Sequence, residues 1–324
     1  MPTLAQIQEP IRHELGQYDD FLVRSFRSDS RYASAIMEYI FSIRGKQLRP
    51  LIALLAASLN GTVGERSYEA AMFVEMIHTA SLVHDDVVDE ADVRRGHPAV
   101  HSLWGAHTAV LVGDYLFAKS YSLCMDRGAT DIVSLVTRAI GLVCEGELDQ
   151  TEQAEKLTMT REAYFSIIYK KTATLISAAA AAGALSVGAP AEAIARMTAY
   201  GDNLGMAFQI KDDLLDYMPS ADTGKRACND LRERKITLPL LYVLERASKT
   251  ERTELLARLR DIREEPANAD YLYNAVVSGG GLEHAGHVMR EYSDRARKAL
   301  RGAPDCPARA ALTDLCSFIT DRDK

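Results

Sequence analysis

Residues 81–96 read SLVHDDVVDEADVRRG. This stretch holds Asp85, Asp86, Asp89 and Asp92, with His84 and Glu90 among them, and it closes on Arg94 and Arg95. Asp85 and Asp89 stand four apart, so on a helix they share one face, about one turn from each other. Two carboxylates that close repel unless a cation sits between them. Hard oxygen donors select Mg2+ or Ca2+ over zinc or copper, and Mg2+ is usually held by one or two carboxylates together with substrate phosphates. The pattern recurs as Asp212, Asp213 and Asp216 in FQIKDDLLDYM. A solvated acidic face is the ordinary alternative for either cluster. Two independent matches, however, are expected in about one chain in a hundred of this composition, and each follows an apolar helical run.

Basic residues complement the acids. Lys46 and Arg49 lie in RGKQLRP, Arg94 and Arg95 follow the first cluster, and Lys170 and Lys171 precede Thr172. Lys225 and Lys235 lie in GKRACNDLRERKITLP. Any one pair reads as surface charge. The set supplies what two diphosphates require, guanidinium forks for bidentate contacts and ammonium groups for the remaining charge. Gly-rich phosphate loops are missing, which excludes P-loop and Rossmann sites and leaves phosphate binding to metal and side chains. His78 precedes Asp85 by seven residues and so shares its helical face. A lone histidine in an apolar helix is more often a core residue, but this offset favours a ligand-facing one. His84 is assigned no role, and His284 with His287 lacks the further ligands that zinc needs.

The elements that must position these residues are helical. Residues 31–43 carry apolar side chains at helical spacing, Gly45 breaks the run, and Pro50 fits the first turn of the next helix. Residues 66–91 form one long helix in this reading, with two more over 108–125 and 129–150. Thr160 caps a helix that runs through an alanine tract, and Pro190 starts another that reaches Met218. No convincing strand alternation, linker or repeat interrupts them. The expectation is a single all-α domain of about a dozen helices over residues 1–324. Residues 172–191 carry no charge, but their small side chains suit a buried helix better than a membrane span. A net charge of −7 disfavours nucleic-acid binding. The five cysteines form no CxxC pair and fit a reduced, cytoplasmic protein. The N-terminus has no apolar core of the signal-peptide kind.

Taken in order, GKQLRP, HDDVVDEADVRRG, GDYLFA, KTATL, FQIKDDLLD and DLRERKITLPLLY resemble the trans-isoprenyl diphosphate synthases, also called polyprenyl synthetases. The resemblance runs from about residue 10 to the C-terminus and is densest from 45 to 240. It implies an all-α bundle around a deep cavity, with the two aspartate clusters facing each other across its mouth. It also implies joining of isopentenyl diphosphate to an allylic prenyl diphosphate, with Mg2+ as cofactor and a homodimer as the working form. On that resemblance Asp85, Asp89 and Asp212 are the direct metal ligands. Asp86, Asp213 and Asp216 act one layer further out. Arg94, Lys171 and Lys225 hold the allylic diphosphate, with Thr172 and Gln209 nearby, Lys46, Arg49, His78 and Arg95 hold isopentenyl diphosphate, and Lys235 belongs to the substrate-binding set. The released diphosphate takes the proton, so no side-chain base is expected. Three positions depart from the family pattern: Gln47 stands where a basic residue is common, and Cys228 and Arg234 stand where glycine often does.

The family sets product length by blocking a tunnel below the first cluster. Here the positions four and five before Asp85 are Ser81 and Ala80, too small to form a floor, with Ile77 one turn deeper and Phe73 and Val74 beyond. Gly141 and Ala178–Ala182 either line further space or only let helices pack closely. The expected product is hexaprenyl or longer, for a quinone side chain. The alternatives are a farnesyl or geranylgeranyl diphosphate synthase and a class I terpene cyclase. A cyclase usually pairs one Asp-rich cluster with a different metal motif and has no second diphosphate site. A non-catalytic helical partner subunit would have lost one or both clusters.

Overall fold

The computed structural model describes residues 2–218 and 228–322. Two N-terminal helices, α1 (Leu4–Gln8) and α2 (Arg12–Ser25), lead to α3 (Arg31–Ser42), α4 (Leu48–Asn60) and α5 (Glu65–Val88). A two-stranded antiparallel ribbon follows, β1 (Val93–Arg94) and β2 (His97–Pro98). The chain then runs through α6 (Val100–Trp104), α7 (Ala106–Asp126), α8 (Thr130–Lys156), α9 (Arg161–Ile168), α10 (Thr174–Ser186) and α11 (Ala191–Asp216). The last third comprises α12 (Asn229–Arg232), α13 (Leu238–Arg246), α14 (Lys249–Arg260), α15 (Asn268–Ser278), α16 (Gly281–Ala299) and α17 (Pro307–Asp321).

The architecture is all-α, as the helical periodicity implies. The helix that Thr160 starts is broken where the sequence suggests continuity. Thr160 caps α9 by accepting from the Ala163 N–H at 3.2 Å, but Tyr169–Ala173 then widens into a π-helical turn before α10. Such π-turns are rare and concentrate at functional sites; this one carries Lys170, Lys171 and Thr172. The short ribbon is also absent from the helical reading, because two-residue strands leave no alternation to detect. It turns through Arg95 and Gly96, both at positive φ (55° and 78°), a conformation that suits a two-residue hairpin.

α10 is apolar on every side, and a helix of that kind belongs inside. Its residues Thr174–Ala184 are buried, packed among α4, α5, α8 and α11. Small residues make that approach possible. A Cβ on Gly183 would stand 2.0 Å from the Ala53 carbonyl oxygen, and one on Gly205 would stand 2.4 Å from the Ala173 Cα. Ala178–Ala182 are buried within this close packing. Among the described residues no helix is long and apolar enough to cross a membrane.

This packing leaves the long helices α5 and α11 each ending in an acidic cluster. Carboxylates at a helix C-terminus face the negative end of its dipole. Both clusters thus sit where their charge is unfavourable without cations.

Gly183→Ala tests the packing directly. The added methyl meets backbone, which cannot swing aside, so unfolding free energy should fall by about 1–3 kcal/mol. Urea unfolding measures it, and an unchanged midpoint would contradict the contact.

Candidate active site

Asp85 and Asp86 occupy the last turn of α5, and Asp89 caps it, its N–H donating to the Asp85 carbonyl at 2.8 Å. Asp86 is 3% exposed. It accepts from Arg94 Nε at 2.7 Å and forms an ion pair with the same guanidinium. The hairpin thus delivers Arg94 to the first cluster. Arg95 is delivered elsewhere: its guanidinium lies on Gly45, with Cζ 2.6 Å from where a Cβ would stand, and Nη1 donates to the Ile43 carbonyl at 3.3 Å. The two adjacent arginines therefore have different partners, and the glycine of GKQLRP makes room for the second.

Arg95 lines a cleft of about 460 Å³ with Lys46, Arg49, His78 and Arg322. Burial and the charges of Arg49, Arg95 and Arg94 hold the His78 pKa well below its ordinary value. The imidazole is neutral near pH 7 and offers a hydrogen bond, not a charge. Burial, then Arg322, also lowers the Lys46 pKa. Gln47 sits at positive φ (48°) at the start of α4, and its side-chain nitrogen has no hydrogen-bond partner among the described residues.

The second cluster is locked from behind. Asp213 is 4% exposed, and both its oxygens are engaged, by Tyr164 Oη at 2.6 Å and Gln209 Nε2 at 2.9 Å. Gln209 in turn accepts from Thr172 Oγ1 at 2.6 Å, which ties the π-turn to α11. Asp216 accepts the backbone N–H groups of Asn229 (2.9 Å) and Asp230 (3.0 Å), so it anchors the chain where it enters α12. Cys228, just before that helix, and Arg234, just after it, both take positive φ (42° and 62°), where glycine would carry no strain. Asp212 pairs with Arg322, whose guanidinium stacks on Phe208 at 4.2 Å.

The two clusters share cations. Lys171 pairs with Glu147 at 2.8 Å, and its charge acts on both Asp85 and Asp213. Lys235 pairs with Glu233, and Asp230 and Asp89 both act on it. Lys171, Gln209, Asp213, Asp230 and Lys235 line one pocket of about 80 Å³. Lys225 lies outside the described residues. Burial raises the pKa of Asp85, with Glu147 adding to the shift. Burial also raises Asp212 against the pull of Arg322. Asp213 and Asp230 are raised by burial and by neighbouring carboxylates.

Among the described residues no three Asp, Glu, His or Cys side chains converge on one point. The donors come from two helix ends, with Asp85 and Asp89 on one and Asp212 on the other. That set is too sparse for a closed cage. It suits a hard cation that keeps much of its shell for phosphate oxygens.

Below Asp85 a pocket of about 410 Å³ lies between α5, α7, α8 and α10. Ile77, Ala80 and Ser81 form one wall and Phe117, Ile140 and Val143 the other. Phe73 and Val74 are fully buried, and Gly141 is exposed and outside the lining. His84, assigned no role from sequence, also lines this pocket; a Cβ on Gly113 would stand 2.1 Å from its Nε2. Sequence reasoning missed Glu147, Tyr164, Asp230 and Arg322 as well. The acidic run EGELDQ offered a signal for Glu147. Nothing in spacing could place Arg322 beside Asp212.

The family model for polyprenyl synthetase matches residues 30–276. The octaprenyl diphosphate synthase of Escherichia coli (strain K12) is 33% identical, over 99% of this chain and 100% of that protein. A short chain isoprenyl diphosphate synthase of Methanothermobacter thermautotrophicus is 36% identical, over 88% of this chain and 89% of that protein. The crystal structure of a polyprenyl synthase from Caulobacter crescentus CB15, complexed with calcium and isoprenyl diphosphate, is 34% identical and superposes with a TM-score of 0.90 over 99% of this chain and 98% of that one.

A carboxyl whose folded pKa is raised contributes stability below its unfolded value and loses it as pH rises through the folded one. Asp85, Asp212, Asp213 and Asp230 all have raised values. In metal-free buffer Tm should therefore fall from about pH 5 to pH 8.5. Asp230→Asn should recover part of that loss, by a few degrees at pH 8. A variant no more stable than wild type there would contradict the assignment.

Proposed function

Because the chain belongs to the polyprenyl synthetase family, we propose that it condenses isopentenyl diphosphate with an allylic prenyl diphosphate, head to tail and trans, and repeats the step to a product of hexaprenyl length or longer. The observation that carries this reading is the pocket of about 410 Å³ below Asp85, lined by the small side chains of Ala80 and Ser81 and read as the product tunnel. A growing chain gains roughly 0.8 kcal/mol per CH2 it buries there, so elongation continues until side chains block it. The short-chain relative shows that the family includes both outcomes, and here the small residues at 80 and 81 favour the longer one.

Divalent metal use fits the oxygen donors and the calcium-bound relative, and we assign Mg2+ to Asp85, Asp89 and Asp212. When bound, Mg2+ would draw charge onto the leaving diphosphate. The chain's own groups do the rest. Arg94 and Lys171, with Lys225 and Lys235, supply positive charge where the leaving group becomes more negative. Asp86 aims Arg94, Asp213 fixes Gln209 and with it Thr172, and Asp216 pins the segment that carries Lys235. Lys46, Arg49, neutral His78 and Arg95 hold isopentenyl diphosphate with its double bond toward the allylic carbon. Positioning then makes the attack effectively unimolecular, and the departing diphosphate accepts the proton. The reading includes one all-α domain acting as a homodimer in the cytoplasm. Supporting the dimer are the exposed apolar residues Val110, Leu111, Tyr121 and Met125 along α7.

Turnover should need isopentenyl diphosphate, which separates a synthase from a cyclase. Product release from the allylic substrate alone would contradict the reading. Asp85→Asn should lower kcat by about 10²-fold or more. With farnesyl diphosphate and labelled isopentenyl diphosphate, Ser81→Phe and Ala80→Tyr should each shorten the product. Wild-type length from both would show that the chain grows elsewhere.

A further inference from the structure

Glu75 lies on α5 one turn ahead of His78 and is 5% exposed. Carboxylates this deep are rare unless charges compensate them. It lines the 460 Å³ cleft beside Arg49 and Arg95. It also lines a smaller internal cavity of about 40 Å³ that reaches Arg44, Arg94 and Asp86. Glu75 thus borders both spaces, together with Arg44 and Arg95. Three guanidiniums from three segments act on it: Arg49 of α4, Arg95 of the hairpin turn and Arg44 of the segment before α4. Among the described residues the Nε atoms of Arg44 and Arg49 have no hydrogen-bond partner. From α2 comes the buried Tyr18, whose hydroxyl is also without a partner among the described residues and on whose pKa Glu75 acts. His78 faces the cleft as a neutral ring, and Asp86 is paired with Arg94. The condensation chemistry makes no use of the Glu75 carboxylate.

We propose that Glu75 is the resident counter-ion of the isopentenyl diphosphate subsite: its carboxylate balances Arg44, Arg49 and Arg95 while the cleft is empty, and it takes up a proton from solvent when a diphosphate enters. The proposal rests on reading the 460 Å³ cleft as that subsite. Glu75 is a positioning residue, since it acts through the arginines and not on the reacting atoms. The reason is competition for the same positive charge. A diphosphate brings several negative charges into the space that Glu75 lines, and like charges disfavour the ionised carboxyl. Burial already raises this carboxyl to about 7, against the pull of Arg49, Arg95 and Arg44, so a modest further shift changes its charge near neutral pH. The sign follows. Binding that takes up a proton weakens as pH rises, by at most about tenfold per pH unit for one group.

The test is calorimetric titration of the full-length enzyme with isopentenyl diphosphate at pH 7.5–8, in two buffers of different ionisation enthalpy, for wild type and Glu75→Gln. Proton exchange by the ligand is common to both and cancels. Wild type should take up between about half and one proton more per subunit than Glu75→Gln, and its affinity should fall more steeply above pH 7. Equal proton counts and parallel pH profiles would overturn the proposal. Wild type alone gives a second readout, an infrared difference spectrum in which a protonated-carboxyl band grows on ligand binding; no such band would also overturn it. If isopentenyl diphosphate neither binds nor turns over, the subsite reading fails. If it binds and turns over without the extra proton, only the role of Glu75 fails.

Discussion

Two sets of carboxylates held at helix C-termini, ranging from the buried Asp86 and Asp213 to the exposed Asp89, are the constraint on which the rest of the structure depends. Each lies at the negative end of its helix dipole, which costs roughly 0.3–1 kcal/mol per charge near a surface, and burial raises the pKa of Asp85 and Asp212 further. The protein answers with cations brought from distant segments. Arg94 comes from a hairpin, Lys171 from a π-turn and Arg322 from beyond α17, and each lies against a carboxylate. These pairs leave the site acidic enough for a divalent ion and basic enough for phosphate.

The rest of the fold holds these ends in place. α10 threads the centre with small side chains, so α4 and α11 approach it at backbone distance. That tight packing fixes α11 and its cluster relative to α5. The π-turn ahead of α10 presents Thr172 to Gln209, and Gln209 to Asp213, so a motif on one helix sets the geometry of a motif on another. The pocket lies where large side chains are missing on α5, at Ala80 and Ser81. On the proposed reading, product length and catalysis are governed from adjacent turns of one helix.

Much of this was legible in the sequence because it depends on spacing. Residues four apart on a helix share a face whatever the tertiary fold, so Asp85 and Asp89 could be paired from sequence alone. The all-α class followed from apolar periodicity in the same way. Three-dimensional encounters between remote segments were not legible. Arg322 meets Asp212 across 110 positions, and no local pattern encodes that. The ribbon that separates Arg94 from Arg95 is too short to show alternation. For Ala178–Ala182 the sequence leaves tunnel wall and packing equally open, because small side chains suit both; the structure adds that they are buried. His84 lies seven, four and three residues after Ile77, Ala80 and Ser81, so its place in the same cavity follows from helical spacing, whereas Phe117, Ile140 and Val143 come from α7 and α8 and could not be brought there by spacing.

The most direct test of the shared grip is a double-mutant cycle on Mg2+-dependent binding of inorganic diphosphate, measured for wild type, Asp85→Asn, Asp212→Asn and the double variant. Where two groups hold one ligand together, each single loss already includes their coupling, so the double variant should lose less than the sum of the two single losses, by a coupling energy of about 0.5–3 kcal/mol. Strictly additive losses, or binding that persists in the double variant at wild-type affinity, would mean that the two helix ends do not act on the same diphosphate.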